Sequence, residues 1–97
     1  MRMLRIASDH AGFDLKEKLK LYLDKIGVSY IDLGPSRFKK TDDYPIYASK
    51  LCHYLDDGLG ILICGSAQGM SITANKFSGV RAFVPVNLQE VSLARKH

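Results

Sequence analysis

The chain is 97 residues long, 10.8 kDa, which suits one domain of common size. A composition of 46% hydrophobic and 25% charged residues excludes a disordered, low-complexity or collagen-like chain. The formal charge of +4 comes without a basic block, because Lys16, Lys18, Lys20 and Lys25 are interleaved with Asp14, Glu17 and Asp24. It reads as a solvated surface, not as a nucleic-acid or membrane-binding face.

Leu4 to Ser8 reads as a short buried strand, and Asp9-His10-Ala11-Gly12 as the turn after it. From about Phe13 to Ile26 the spacing is helical, with Leu15, Leu19, Tyr22, Leu23 and Ile26 on one face. Gly27 sits where a helix ends in a left-handed residue. Val28 to Leu33 alternates and carries β-branched residues, which predicts a strand. Gly34 to Asp43 is a polar loop. A second helix follows, with Asp43 as N-cap and Pro45 in its first turn. Its expected inner face holds Ile46, Tyr47, Leu51, Tyr54 and Leu55, and Asp57-Gly58 ends it. Gly60 to Cys64 is a continuous apolar run of the buried parallel-strand kind. The turn Gly65-Ser66-Ala67-Gln68-Gly69 leads into a helix over about Met70 to Phe77. Val80 to Pro85 reads as a fourth strand and Leu88 to His97 as a last helix.

This β-α alternation predicts a single doubly wound (Rossmann-like) α/β domain over residues 1–97, a parallel sheet with helices on both faces. The last helix runs to His97 without Gly, Pro or cap, and four strands are fewer than the usual five or so. The expectation is a C-terminally truncated piece of a longer protein. No apolar run approaches the ~20 residues of a membrane span, and the N-terminus has no signal-peptide h-region. Two cysteines, Cys52 and Cys64, are too few for a disulfide scaffold, so a reducing cytoplasm is the default.

In such a sheet ligands bind beyond the carboxyl ends of the strands, where strand order reverses. With strand order 2-1-3-4 the reversal lies between the first and third strands. It brings Asp9 and His10 to the same crevice as Cys64, Gly65 and Ser66. The small residues of the Gly65–Gly69 turn let backbone N–H groups approach a phosphate or a developing oxyanion. The turn is neither a Walker A loop nor a dinucleotide fingerprint, and Ser66 is not in a nucleophile elbow. Cys64 before a helix N-terminus suits a nucleophile or a general base, while a buried structural cysteine is the plainer reading. Cys52, mid-helix beside Leu51 and Leu55, fits the plainer reading. His53 looks like a solvent-edge residue. A thiolate–imidazole protease pair lacks an orienting Asn or Asp. A zinc site from Asp9, His10, Cys64 and His97 lacks ligand spacing.

The joint order of these pieces resembles ribose-5-phosphate isomerase B and the related galactose-6-phosphate isomerase subunits. The resemblance runs through Ser8-Asp9-His10-Ala11-Gly12-Phe13, Leu15-Lys16, Asp32-Leu33-Gly34, Asp43-Tyr44-Pro45, Ile63-Cys64-Gly65-Ser66, Gly69-Met70-Ser71-Ile72, Ala74-Asn75-Lys76, Gly79-Val80-Arg81-Ala82 and Ala94-Arg95-Lys96-His97. It implies an aldose–ketose isomerase that uses no metal or organic cofactor. Cys64 would move a proton between C1 and C2 through a cis-enediolate. Gly65 to Gly69, with the Ser66 hydroxyl, would hold the enediolate oxygens, which places Ala67, Gln68 and Gly69 at the substrate. His97 would open the furanose ring, Asp9 and His10 would contact the sugar and its phosphate, and Tyr44 would line the pocket. The family works as dimers or dimers of dimers, in which His97 serves the partner's Cys64. The expected partner is a sugar phosphate, with neither nucleic acid nor membrane, and nucleic-acid binding from the +4 charge is a third, weaker reading.

Two departures stand out. The family pattern C-G-[ST]-G-x-G has Gly where Ala67 stands, and an added methyl opposes a positive φ or crowds a ligand. The family also continues past His97, with an Asn and phosphate-binding arginines. A galactose-6-phosphate isomerase subunit and a non-catalytic phosphate-binding module on the same fold are the alternatives.

Overall fold

The computed structural model describes residues 3–37, 44–55, 58–65 and 68–96. Its elements are β1 (Leu4–Ser8), α1 (Phe13–Ile26), β2 (Tyr30–Asp32), α2 (Tyr44–His53), β3 (Leu59–Ile63), α3 (Gln68–Asn75) and α4 (Leu88–Lys96). The expected N-cap Asp43 lies outside the described residues, and α2 ends at His53, before the expected Asp57-Gly58 stop.

The three strands form one parallel sheet in the order β2-β1-β3. Leu4 pairs with Tyr30 on one side and with Leu59 on the other, and β1 stays in register with β3 through Ser8 and Ile63. The β1-α1-β2 crossover runs one way along the sheet and the β2-α2-β3 crossover runs back. Right-handed connections therefore set α1 and α2 on opposite faces. The α2 face carries the core: Ala7, Leu51, Cys52 and Ala74, flanked by Leu33, Leu55, Leu62 and Phe77. A doubly wound α/β arrangement is what the sequence pattern predicted.

α1 spans the expected residues, and Gly27 closes it at φ 76°. The Gly27 N–H donates to the Asp24 carbonyl and the Val28 N–H to the Leu23 carbonyl, a Schellman ending. The buried stripe differs from the expected one. Leu23 faces the sheet, but Leu15 and Tyr22 are each 58% exposed, while Lys16 is 0% exposed. The reading of Lys16 as solvated surface is thus corrected. Its ammonium is matched by acceptors from β2 and the loop after it, which apolar spacing along one helix cannot register. In α2 the inward residues are Ala48, Leu51 and Cys52, Ile46 points to solvent, and Tyr54, just past the helix, is exposed as well.

The expected strand over Val80 to Pro85 is absent. This stretch pairs with no strand among the described residues. The Asn75 side chain takes its place as partner: Nδ2 donates to the Ala82 carbonyl at 2.9 Å and Oδ1 accepts the Ala82 N–H at 2.9 Å. A carboxamide thus occupies the backbone groups that a neighbouring strand would use. Consequently β3 is an edge strand, with Leu59 and Ile61 partly exposed, and not the fully buried strand its apolar run predicted.

Candidate active site

The reversal of strand order lies between β1 and β3, as the topology argument requires. The Asp9 N–H donates to the Ile63 carbonyl at 3.1 Å, extending the pairing one residue beyond the ladder. Asp9 therefore lies beside the end of β3, where Cys64 begins the next turn. The two turns pack closely. A Cβ at Gly65 would lie 3.3 Å from the Ala11 Cβ, and one at Gly12 only 2.5 Å from the Ile63 carbonyl oxygen.

Asp9 is buried, and its Oδ1 accepts the Gly12 N–H at 2.8 Å. This bond folds the chain from β1 into α1, where the Lys16 N–H in turn donates to the Gly12 carbonyl. His10 and Cys64 are both half-buried and both engaged in interactions. Gly65 is exposed, and α3 begins at Gln68, exposed, followed by half-buried Gly69. Asp9, His10, Cys64 and Gly65 are thus gathered at one crevice, with the start of α3 three residues further along the chain. Tyr44 is the first residue of α2. Ser66, Ala67 and His97 lie outside the described residues.

Cys52 is buried, and burial pushes its thiol above the ordinary 9.0. That fits a structural cysteine. His53 is exposed, its ring edge-on to Tyr54 at 4.8 Å. Among the described residues no three His, Cys, Asp or Glu side chains gather as a metal would require, and no helix is long and apolar enough to cross a membrane.

Apolar and motif spacing missed a second layer around the crevice. Lys16 Nζ donates to Asp32 Oδ2 at 2.8 Å, to the Pro35 carbonyl at 2.9 Å and to Glu17 Oε2 at 3.0 Å. Lys20 also pairs with Asp32 and Glu17. Burial pushes the Asp32 carboxyl up, but hydrogen bonds from Lys16, Lys20 and the Gly34 N–H outweigh it and hold the group below its ordinary 3.8. The resemblance motifs Leu15-Lys16 and Asp32-Leu33-Gly34 contain both partners, but nothing in their spacing shows that they pair. Ser8 was also missed; its buried hydroxyl has no hydrogen-bond partner among the described residues. A separate cavity of about 390 Å³ lies on the β2 side, lined by Gly34, Ser36, Arg37, Tyr47 and Lys50 among others. Of the described residues predicted as site residues, Asp9, His10, Cys64, Gly65, Gln68 and Gly69 are not among its lining.

A sequence model of the Ribose/Galactose Isomerase family matches residues 4–97. Ribose-5-phosphate isomerase B of Escherichia coli K12 is 41% identical over 100 residues, covering all of this chain and 66% of that protein. A probable ribose-5-phosphate isomerase B of Mycoplasma pneumoniae is 41% identical over 95% of this chain and 62% of its own length. The solved ribose 5-phosphate isomerase of Thermotoga maritima superposes with a TM-score of 0.91 at 41% identity, covering 99% of this chain and 68% of that one. The Mycoplasma genitalium enzyme, solved with ribulose 5-phosphate bound, gives a TM-score of 0.82 at 41% identity, over 97% of this chain and 64% of that one. The chain thus spans between 62% and 66% of the length of these curated relatives.

Proposed function

Because the chain belongs to the ribose/galactose isomerase family, we propose that the protein interconverts an aldose phosphate and a ketose phosphate, ribose 5-phosphate and ribulose 5-phosphate. The observation that carries this reading is the bond from the Asp9 N–H to the Ile63 carbonyl, which sets Cys64 next to Asp9-His10. The chain positions that carry a thiol, an imidazole and a carboxylate then lie at one end of the sheet, where they can serve proton transfer at carbon. The relatives' names favour the five-carbon substrate over a galactose 6-phosphate.

In this reading His97 protonates the ring oxygen as the anomeric hydroxyl gives up its proton to water, and the furanose opens. The Cys64 thiolate removes the proton from C2 of the open aldose, and the electron pair passes into the C1–C2 bond as the aldehyde oxygen takes up negative charge. Backbone N–H groups of the Gly65–Gly69 turn and the Ser66 hydroxyl stabilise that enediolate. The Cys64 thiol delivers a proton to C1 and regenerates the thiolate, while the C2 hydroxyl gives up its proton to become the carbonyl and the C1 oxygen takes one up, giving the ketose. The thiol proton exchanges with water before it is delivered and none is consumed overall, so no net oxidant or reductant is needed. Asp9, His10 and Tyr44 orient the sugar phosphate, and Ala67, Gln68 and Gly69 complete the turn around it. The working form is a cytoplasmic homodimer or dimer of dimers, in which His97 reaches the partner's Cys64. The exposed apolar row Leu15, Tyr22 and Ile26 along α1 supports an assembled state.

Replacing Cys64 by Ala tests the assignment. Loss of a positioned base lowers kcat by about 10²–10⁴-fold, with the circular dichroism spectrum unchanged. A Cys64→Ala variant with near-normal kcat overturns it.

A further inference from the structure

A closed ring of hydrogen bonds encircles the end of β1, and it begins and ends at Lys16. The side chain donates to Asp32 Oδ2 at 2.8 Å, and Asp32 Oδ1 accepts the Gly34 N–H at 2.8 Å. The Gly34 carbonyl accepts the Ser8 N–H at 3.0 Å. Ser8 is bonded covalently to Asp9, whose Oδ1 accepts the Gly12 N–H at 2.8 Å. The Gly12 carbonyl accepts the Lys16 N–H at 2.9 Å, which closes the circuit.

We propose that Lys16 is a positioning residue for the isomerase site: its buried ammonium clamps the Asp32–Pro35 turn onto the end of β1 and thereby sets where Asp9 stands relative to Cys64. Three observations support this. All three ammonium donors have an acceptor, on Asp32, Pro35 and Glu17, so the group is fully committed where it lies. The ammonium also stands 5.2 Å from the centroid of the Phe13 ring, at the start of α1. And the ring passes through Asp9, whose own N–H is bonded to Ile63, the residue before Cys64. A shift of the Asp32–Pro35 turn is therefore transmitted through Gly34 and Ser8 to the Asp9 side of the crevice. Lys20 shares Asp32 and Glu17 but makes no bond to Pro35 and supplies no link of the ring.

The positioning role rests on the proposed function, whereas the clamp itself can be read without turnover. Backbone amide exchange is followed residue by residue in the wild-type chain and in Lys16→Met, Asp32→Asn and Lys20→Met. The proposal expects the Ser8, Gly12 and Gly34 amides to exchange about tenfold faster in Lys16→Met and Asp32→Asn, and Leu62 to stay unchanged. Lys20→Met should leave all four within about twofold of wild type. If Lys16→Met does not fold, Asp32→Asn decides, since it keeps the shape and one acceptor oxygen. Wild-type exchange at Ser8 and Gly12 in the folded variants, or equal acceleration in Lys20→Met, overturns the clamp.

The kinetic arm uses ribose 5-phosphate. Lys16→Met should lower kcat about tenfold with KM within about twofold of wild type, and Lys16→Arg, which keeps a cation for Asp32, should recover part of kcat. Unchanged kcat, or a loss confined to KM, overturns the positioning role. No turnover by the wild-type protein overturns the proposed function instead, and the exchange data still decide the clamp.

Discussion

At Gly12 the two sides of the crevice come within a methyl group of each other. A Cβ there would meet the Ile63 carbonyl oxygen at 2.5 Å and Ile63 Cγ2 at 2.7 Å, both in the last residue of β3. Backbone cannot give way as a flexible side chain can. Gly12→Ala should therefore lose about 1–3 kcal/mol of stability by overpacking, and with it activity, because the strain falls between Asp9 and Cys64. Gly27 is the control. Nothing lies within 4 Å of a Cβ there, but φ is +76°. Gly27→Ala should cost about 1–2 kcal/mol from the left-handed conformation alone and leave activity intact. Urea denaturation of both variants, alongside the isomerase assay, checks the pair. Equal effects on activity would contradict the close approach drawn for Gly12.

At the scale of elements, the alternation of strands and helices was legible because each announces itself locally. α1 was readable from its apolar spacing and from Gly27, and β1 and β3 from short apolar runs. The crevice followed from topology: once β1 and β3 are neighbours, Asp9 and Cys64 must meet, although 55 positions separate them. What was not legible depends on partners distant in sequence. Lys16 is buried because Asp32 and Pro35 meet its charge, and no pattern within α1 predicts that. Val80 to Pro85 has strand-forming residues, but propensity does not supply a neighbour. Its Ala82 is held by Asn75 instead. Removing that carboxamide in Asn75→Ala should cost about 1 kcal/mol and speed proteolytic cleavage between Phe77 and Pro85. Cleavage at the wild-type rate would show that the bridge does not hold this segment.

Across the whole molecule, the ion-pair network predicts how stability follows pH. The Asp32 carboxyl is held below its ordinary 3.8, since hydrogen bonds from Lys16, Lys20 and the Gly34 N–H outweigh the upward push of burial. The unfolded chain therefore takes up this proton first. The Asp32 contribution is present above about pH 4 and is lost as pH falls through its lower folded value. Lys20 is held above 10.5 by its hydrogen bond to Asp32, against burial and with help from Glu17. Its contribution is present below about pH 10.5 and is lost as pH rises through the higher folded value. The buried Cys52 thiol, raised above 9.0, adds a loss that begins as pH rises past 9. Thermal melts across this range should fall away at both ends. Asp32→Asn should flatten the acid side and Cys52→Ala should lessen the first alkaline loss. An acid limb unchanged in Asp32→Asn would remove Asp32 from the account.

The proposed function rests on proton transfer at carbon by Cys64 in the crevice between β1 and β3. It is tested most directly by incubating the protein with ribose 5-phosphate in deuterium oxide and examining the product by NMR. Ribulose 5-phosphate carrying deuterium at C1 is expected from the wild-type protein and not from Cys64→Ala. Binding of the sugar phosphate without turnover, or isomerisation that persists in Cys64→Ala, would contradict it.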